Sequence, residues 1–101
     1  MSTATQRERL TVLLISDTAA DTRLIRAALT ELPDSGWHLE PVGRLADGID
    51  RLGQGEVDAV LLDLFLPDSH GIRTFEALFA AAPLVPILIL TDRQNEAGQI
   101  E

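Results

Sequence analysis

Apolar residues recur along this chain in short blocks with two alternating rhythms. Thr11–Ser16, "TVLLIS", is a compact β-branched and aliphatic run and reads as a buried strand. Residues 19–32, "AADTRLIRAALTEL", place Leu24, Ile25, Ala28, Leu29 and Leu32 at three- and four-residue steps. That is the spacing of one helix face, and Pro33 and Gly36 end it. Trp37–Gly43 alternates weakly and carries Pro41, which suits an edge strand. Residues 45–55 align Leu45, Ile49 and Leu52 on a short helix that Gly48 weakens and Gly53 and Gly55 close.

A second round follows. Val57–Leu64, "VDAVLLDL", is nearly all apolar, with Asp63 close to its end. "FLPDSHG" reads as a loop, and "IRTFEALFAAA" as a helix with Ile72, Phe75, Leu78 and Phe79 inward. Pro83 breaks that helix. Val85–Thr91 is a further buried strand, and "DRQNEAGQIE" starts another helix. Strands apolar on both faces, alternating with amphipathic helices, predict an α/β fold with a parallel sheet covered on both sides. Residues 1–9 are polar and predict a disordered tail, leaving residues 10–101 as the domain.

Composition narrows the function. Sixteen acids against eight bases give a net charge of −8, which opposes nucleic-acid binding and an anionic membrane partner. All the bases are arginine; the chain contains no lysine. The absence of cysteine excludes disulfides and thiolate metal sites. Leu84–Leu90 is far short of the roughly 18 residues of a membrane span, and the N-terminus has no signal-like apolar stretch, so a cytoplasmic location is expected.

Three polar residues fall at the carboxyl ends of predicted strands: Asp17, Asp63 and Thr91. Parallel strands gather such residues at one edge of the sheet, where ligands of α/β proteins bind. Two carboxylates there suit a hard cation such as Mg²⁺. A carboxylate beside Mg²⁺ can attack a phosphoryl donor, and a threonine hydroxyl can bond the new phosphoryl oxygen. Asp17 alone fits a cap or turn equally well, and Thr91 alone a strand or capping role. Asp63, flanked by apolar residues, needs a partner or a function.

"LLDLFLPDSHG" resembles the phosphorylation-site strand and loop of response-regulator receiver domains. "LLISDTAADTRLIRAAL" resembles that family's first strand and helix, and "PILILTD" its fourth strand. The resemblance runs from Leu10 to the end. It implies a flavodoxin-like doubly wound sheet of order 2-1-3-4, with the family's fifth strand and fifth helix missing. It implies Asp63 as phosphoacceptor and Thr91 as switch hydroxyl. Asp17, Asp63 and the Phe65 backbone carbonyl would hold Mg²⁺, with Pro67 and Gly71 shaping the loop. The implied partner is a sensor histidine kinase or phosphotransfer protein, and the domain would be a signalling switch rather than an enzyme.

Three departures stand out. Ser16 replaces the first of the family's two acids and is expected to support the metal weakly, through water. Asp92 follows the switch position; it would either crowd a phosphoryl group or cap the last helix. The family's phosphate-pairing lysine has no counterpart. An uncovered fourth strand invites pairing with another chain, which predicts a fragment, a truncated product or a homodimer through that edge. Besides the signalling switch, two readings stay open: a degenerate receiver that binds or dimerises without phosphorylation, and a flavodoxin-like enzyme or ligand-binding domain.

Overall fold

A computed structural model describes residues 10–31 and 36–90. Four strands form one parallel sheet: β1 (Leu10–Ile15), β2 (Trp37–Val42), β3 (Ala59–Asp63) and β6 (Ile87–Leu90), in the order β2-β1-β3-β6. Three helices connect them: α1 (Ala19–Thr30), α2 (Leu45–Gly53) and α3 (Ile72–Ala81). Between β3 and α3, the expected loop holds a two-residue antiparallel ladder, β4 (Phe65–Leu66) with β5 (Ser69–His70). Strands this short carry no periodicity, which is why the sequence pattern does not reveal them.

Alternate side chains of the central strands feed two separate cores, as a sheet buried on both faces requires. Leu13 and Ile15 of β1 join Val60 and Leu62 of β3 with Leu45, Leu66 and Leu78 in the larger core, under α2 and α3. Val12 and Leu14 join Leu39 in the smaller one, against Ile25 and Leu29 of α1. Helices on opposite faces make the sheet doubly wound. The register sets Ile15 beside Val42 on one side and Leu62 on the other, and Asp63 beside Leu90.

The edge assignment for residues 37–43 holds: β2 is the outer strand and Pro41 is exposed on it. Two helix faces differ from expectation. Leu24 is 58% exposed, because α1 reaches the sheet through Ile25 and Leu29. On α3, Ile72 and Phe79 are exposed; Thr74 and Leu78 take the buried positions, with Phe75 partly buried. Phe79 stacks on Phe75, ring centroids 5.7 Å apart, instead of entering the core. Gly48 is explained by packing: a Cβ there would collide with Ile15 Cδ1 and lie 3.1 Å from its Cγ1, so α2 approaches β1 more closely than alanine permits.

At the far side of the described sheet, β6 exposes Leu88 and Ile89, 61% and 43% respectively. Leu32, Pro33 and the polar tail Met1–Arg9 lie outside the described residues, as does the expected helix from residue 92.

Candidate functional site

The carboxyl ends of β1 and β3 build the site. Ser16 and Asp63 each follow the last paired residues of β1 and β3, Ile15 and Leu62, and the Ser16 N–H still bonds the Val42 carbonyl of β2 at 3.0 Å. Strand alternation turns both toward the α1 face, and adjacent strands run about 4.8 Å apart. Asp63 is half-buried, and Asp17, one residue beyond Ser16, is exposed at the same end of the sheet. Leu90 is the register partner of Asp63 on β6. Thr91 and Asp92 follow it in sequence and lie outside the described residues.

Ser16 is 5% exposed, and its hydroxyl is committed. It donates to Asp21 Oδ2 at 3.0 Å and accepts the Thr18 N–H at 3.3 Å. Its one proton goes to the carboxylate, so the Thr18 hydroxyl, 3.0 Å away, is a donor to Ser16. This network occupies the first turn of α1, whose N-cap is Thr18 and whose N3 residue is Asp21. Asp17 is therefore not the cap. Asp21 and Thr18 carry no family-like signal; their Thr-x-x-Asp spacing before a helix is the only sequence hint.

Asp63 Oδ1 accepts the Phe65 N–H at 2.9 Å. This is an Asx turn, and it fixes the carboxylate at the start of the loop. The loop is then closed by three contacts. The Gly71 N–H bonds the Leu64 carbonyl at 2.8 Å, and Thr74 Oγ1 donates to the same carbonyl at 3.1 Å. Ser69 Oγ lies 2.7 Å from Thr74 Oγ1. Gly71 takes φ +76°, a conformation that a side chain disfavours, so a glycine is required where the chain turns into α3. His70 is exposed beside Phe65, ring centroids 6.4 Å apart.

Asp68 binds across the fold. Its Oδ1 accepts the Leu45 N–H at 2.8 Å and its Oδ2 the Ala46 N–H at 3.0 Å. Arg44, the local N-cap of α2, makes no side-chain cap bond, so the carboxylate of the acceptor loop caps this helix from a distance. The Leu45 N–H, then the Ala46 N–H, hold the Asp68 carboxyl below the usual carboxylate range. A lowered pKa means that this contribution to stability is present above the unfolded-chain value, about 3.9, and fades as pH falls through the folded value. Asp68→Ala is expected to lower Tm at pH 7 by on the order of 5 °C, whereas Asp68→Asn, with a single accepting oxygen, keeps only one of the two cap bonds. Melting curves at pH 7 and pH 3 check this; the gap between wild type and Asp68→Ala should narrow at the lower pH.

On the outer strand, Arg51 of α2 pairs with Glu40 and also donates to the Gly55 carbonyl at 2.8 Å. That guanidinium, with the lesser help of His38, keeps the Glu40 carboxyl below its ordinary value.

The donor set fits a hard cation. Asp17 and Asp63 offer carboxylate oxygens at one end of the sheet, and no nitrogen or sulfur ligand stands among them. No three acidic or histidine side chains converge into a cage among the described residues. Mg²⁺ needs none, since it keeps several waters and takes one or two carboxylates.

The family model of the response regulator receiver domain matches residues 12–101. The chain belongs to the response regulator receiver family. Among curated relatives, it is 38% identical over 84 residues to the swarming motility regulation protein RssB of Serratia marcescens, covering 83% of this chain and 37% of RssB. It is 38% identical over 78 residues to the regulatory protein LuxO of Vibrio cholerae, covering 77% of this chain and 16% of LuxO. The receiver thus spans well under half the length of these relatives. Among solved structures, the MaeR response regulator bound to beryllium trifluoride superposes with a TM-score of 0.70 at 19% identity, over 90% of this chain and 75% of MaeR. A LuxR-family response regulator from Aurantimonas gives 0.66 at 20% identity, over 80% of this chain and 57% of the other. These likenesses establish the flavodoxin-like receiver fold. Among the described residues no helix is long and apolar enough to cross a membrane.

Proposed function

We propose that this receiver accepts a phosphoryl group on Asp63 from a histidine kinase or phosphotransfer protein, in Mg²⁺-dependent two-component signalling within the cytoplasm. The observation that carries this reading is Asp63 itself. A carboxylate stands half-buried at the carboxyl end of a central parallel strand, oriented by the Phe65 N–H, with Asp17 at the same end of the sheet. In the transfer, an Asp63 oxygen forms a bond to phosphorus as the bond from phosphorus to the donor imidazole nitrogen breaks, leaving that nitrogen its electron pair. Mg²⁺ would neutralise charge on the transferring oxygens. Asp17 and Asp63, with the Phe65 carbonyl, would hold it. Thr91, next in sequence after Leu90, would bond the acyl phosphate.

Ser16 favours a weaker cation site than two acids would give, because its hydroxyl is spent on Asp21. Beryllofluoride, which MaeR carries in its solved structure, provides the test. With Mg²⁺ present, it is expected to shift amide resonances around Asp63 and Phe65, and Asp63→Asn should abolish the response. A silent wild-type spectrum with both added would sink the phosphoacceptor reading and leave a receiver that acts by binding alone.

A further inference from the structure

Thr74 is fully buried, yet it is a polar residue on a helix otherwise packed by aliphatic and aromatic side chains. Its hydroxyl is not idle. A carbonyl only accepts, so Thr74 spends its proton on the Leu64 carbonyl at 3.1 Å. The Ser69 hydroxyl, 2.7 Å away, must therefore be the donor to Thr74. The Leu64 carbonyl and the Phe65 N–H are two ends of one planar peptide unit. At the other end of that plane, the Phe65 N–H bonds Asp63 Oδ1 at 2.9 Å. A continuous relay thus runs from Ser69 through Thr74 and the peptide to the carboxylate.

From this relay we infer that Thr74 is a positioning residue for Asp63. The peptide plane is held at its carbonyl by Thr74 and by the Gly71 N–H at 2.8 Å. Its N–H is thereby aimed, and that N–H aims the carboxylate. Donors on a carbonyl also polarise the attached N–H, since hydrogen bonds in series strengthen one another. Thr74 does this without touching a phosphoryl donor or a cation. Its role in phosphoryl acceptance rests on the reading of Asp63 given above, whereas its grip on the peptide does not.

The test uses Thr74→Val, which keeps the shape and removes the hydroxyl, and Thr74→Ser, which keeps the hydroxyl. In the ligand-free protein, the Phe65 amide proton is expected to move upfield in Thr74→Val and to stay in place in Thr74→Ser. With Mg²⁺, the affinity of beryllofluoride should fall roughly tenfold in Thr74→Val and return in Thr74→Ser. A folded Thr74→Val with an unmoved Phe65 amide and wild-type affinity would overturn the inference. Should Thr74→Val fail to fold, Ser69→Ala breaks the first link instead; a smaller upfield shift supports the relay, and no shift refutes it. A wild-type protein blind to beryllofluoride refutes the phosphoacceptor reading, and the functional part of this inference with it, while the ligand-free Phe65 shift still decides whether Thr74 aims the peptide.

Discussion

Leu13→Ala is expected to cost about 2–5 kcal/mol of folding stability. Leu13 is fully buried in β1, between β2 and β3, and belongs to the larger core with Ile15, Val60, Leu62 and Leu78. The loss has two parts: the transfer free energy of the deleted methyl groups, and the cavity left in a sheet whose neighbours are fixed by backbone ladders. A domain of this size holds only about 5–15 kcal/mol in total, so the variant should lose a large share of it. Urea titration measures the change. The midpoint should fall sharply with little change in slope, and a variant within about 1 kcal/mol of wild type would show that the core collapses around the gap.

Gly48→Leu is the second large effect, and it reaches the site. Leucine raises helix propensity by roughly 1 kcal/mol over glycine, which alone would stabilise α2. Its Cβ, however, falls on the Ile15 side chain, which is fully buried. Overpacking of this kind costs about 1–3 kcal/mol or more, so steric conflict wins and the net change is destabilising. The strain also lands one residue before Ser16 and two before Asp17. Amide shifts at Ser16, Asp17 and Asp63 should therefore change even where the variant stays folded. A Tm at or above wild type would mean that α2 moves away from β1 at little cost.

Most of the fold was legible because the strands and helices bury different periodicities. The "VLLI" and "AVLL" runs are apolar at every position because β1 and β3 are covered on both faces, and they pair as expected. Pro41 announced the outer strand through its missing N–H. The inward faces of α1 and α3 were read less well. Spacing shows which residues share a face, but not which part of that face meets the sheet, so Leu24, Ile72 and Phe79 belong to the apolar faces by pattern and yet stand exposed. Thr74 was invisible for the same reason: a threonine inside a hydrophobic helix looks like a surface position until its hydroxyl finds Leu64.

The site divides in the same way. Asp17 and Asp63 could be placed because parallel strands bring their ends together, which is a property of topology alone. The long-range bonds that brace the segments around them could not. Asp21 reaches Ser16 from the next helix, and Asp68 reaches Leu45 and Ala46 over 23 and 22 positions. Such partners depend on how a helix is set down beside a strand, and no local pattern encodes that.

The reach of Asp68 has a mechanical consequence. The loop that follows Asp63 is clamped to the first turn of α2, and α2 is clamped through Arg51 to Glu40 on the outermost strand. Loop, helix and outer strand are thus tied together by side-chain bonds. A displacement of that loop must therefore either draw the first turn of α2 with it or break the bonds from the Leu45 and Ala46 N–H groups to Asp68.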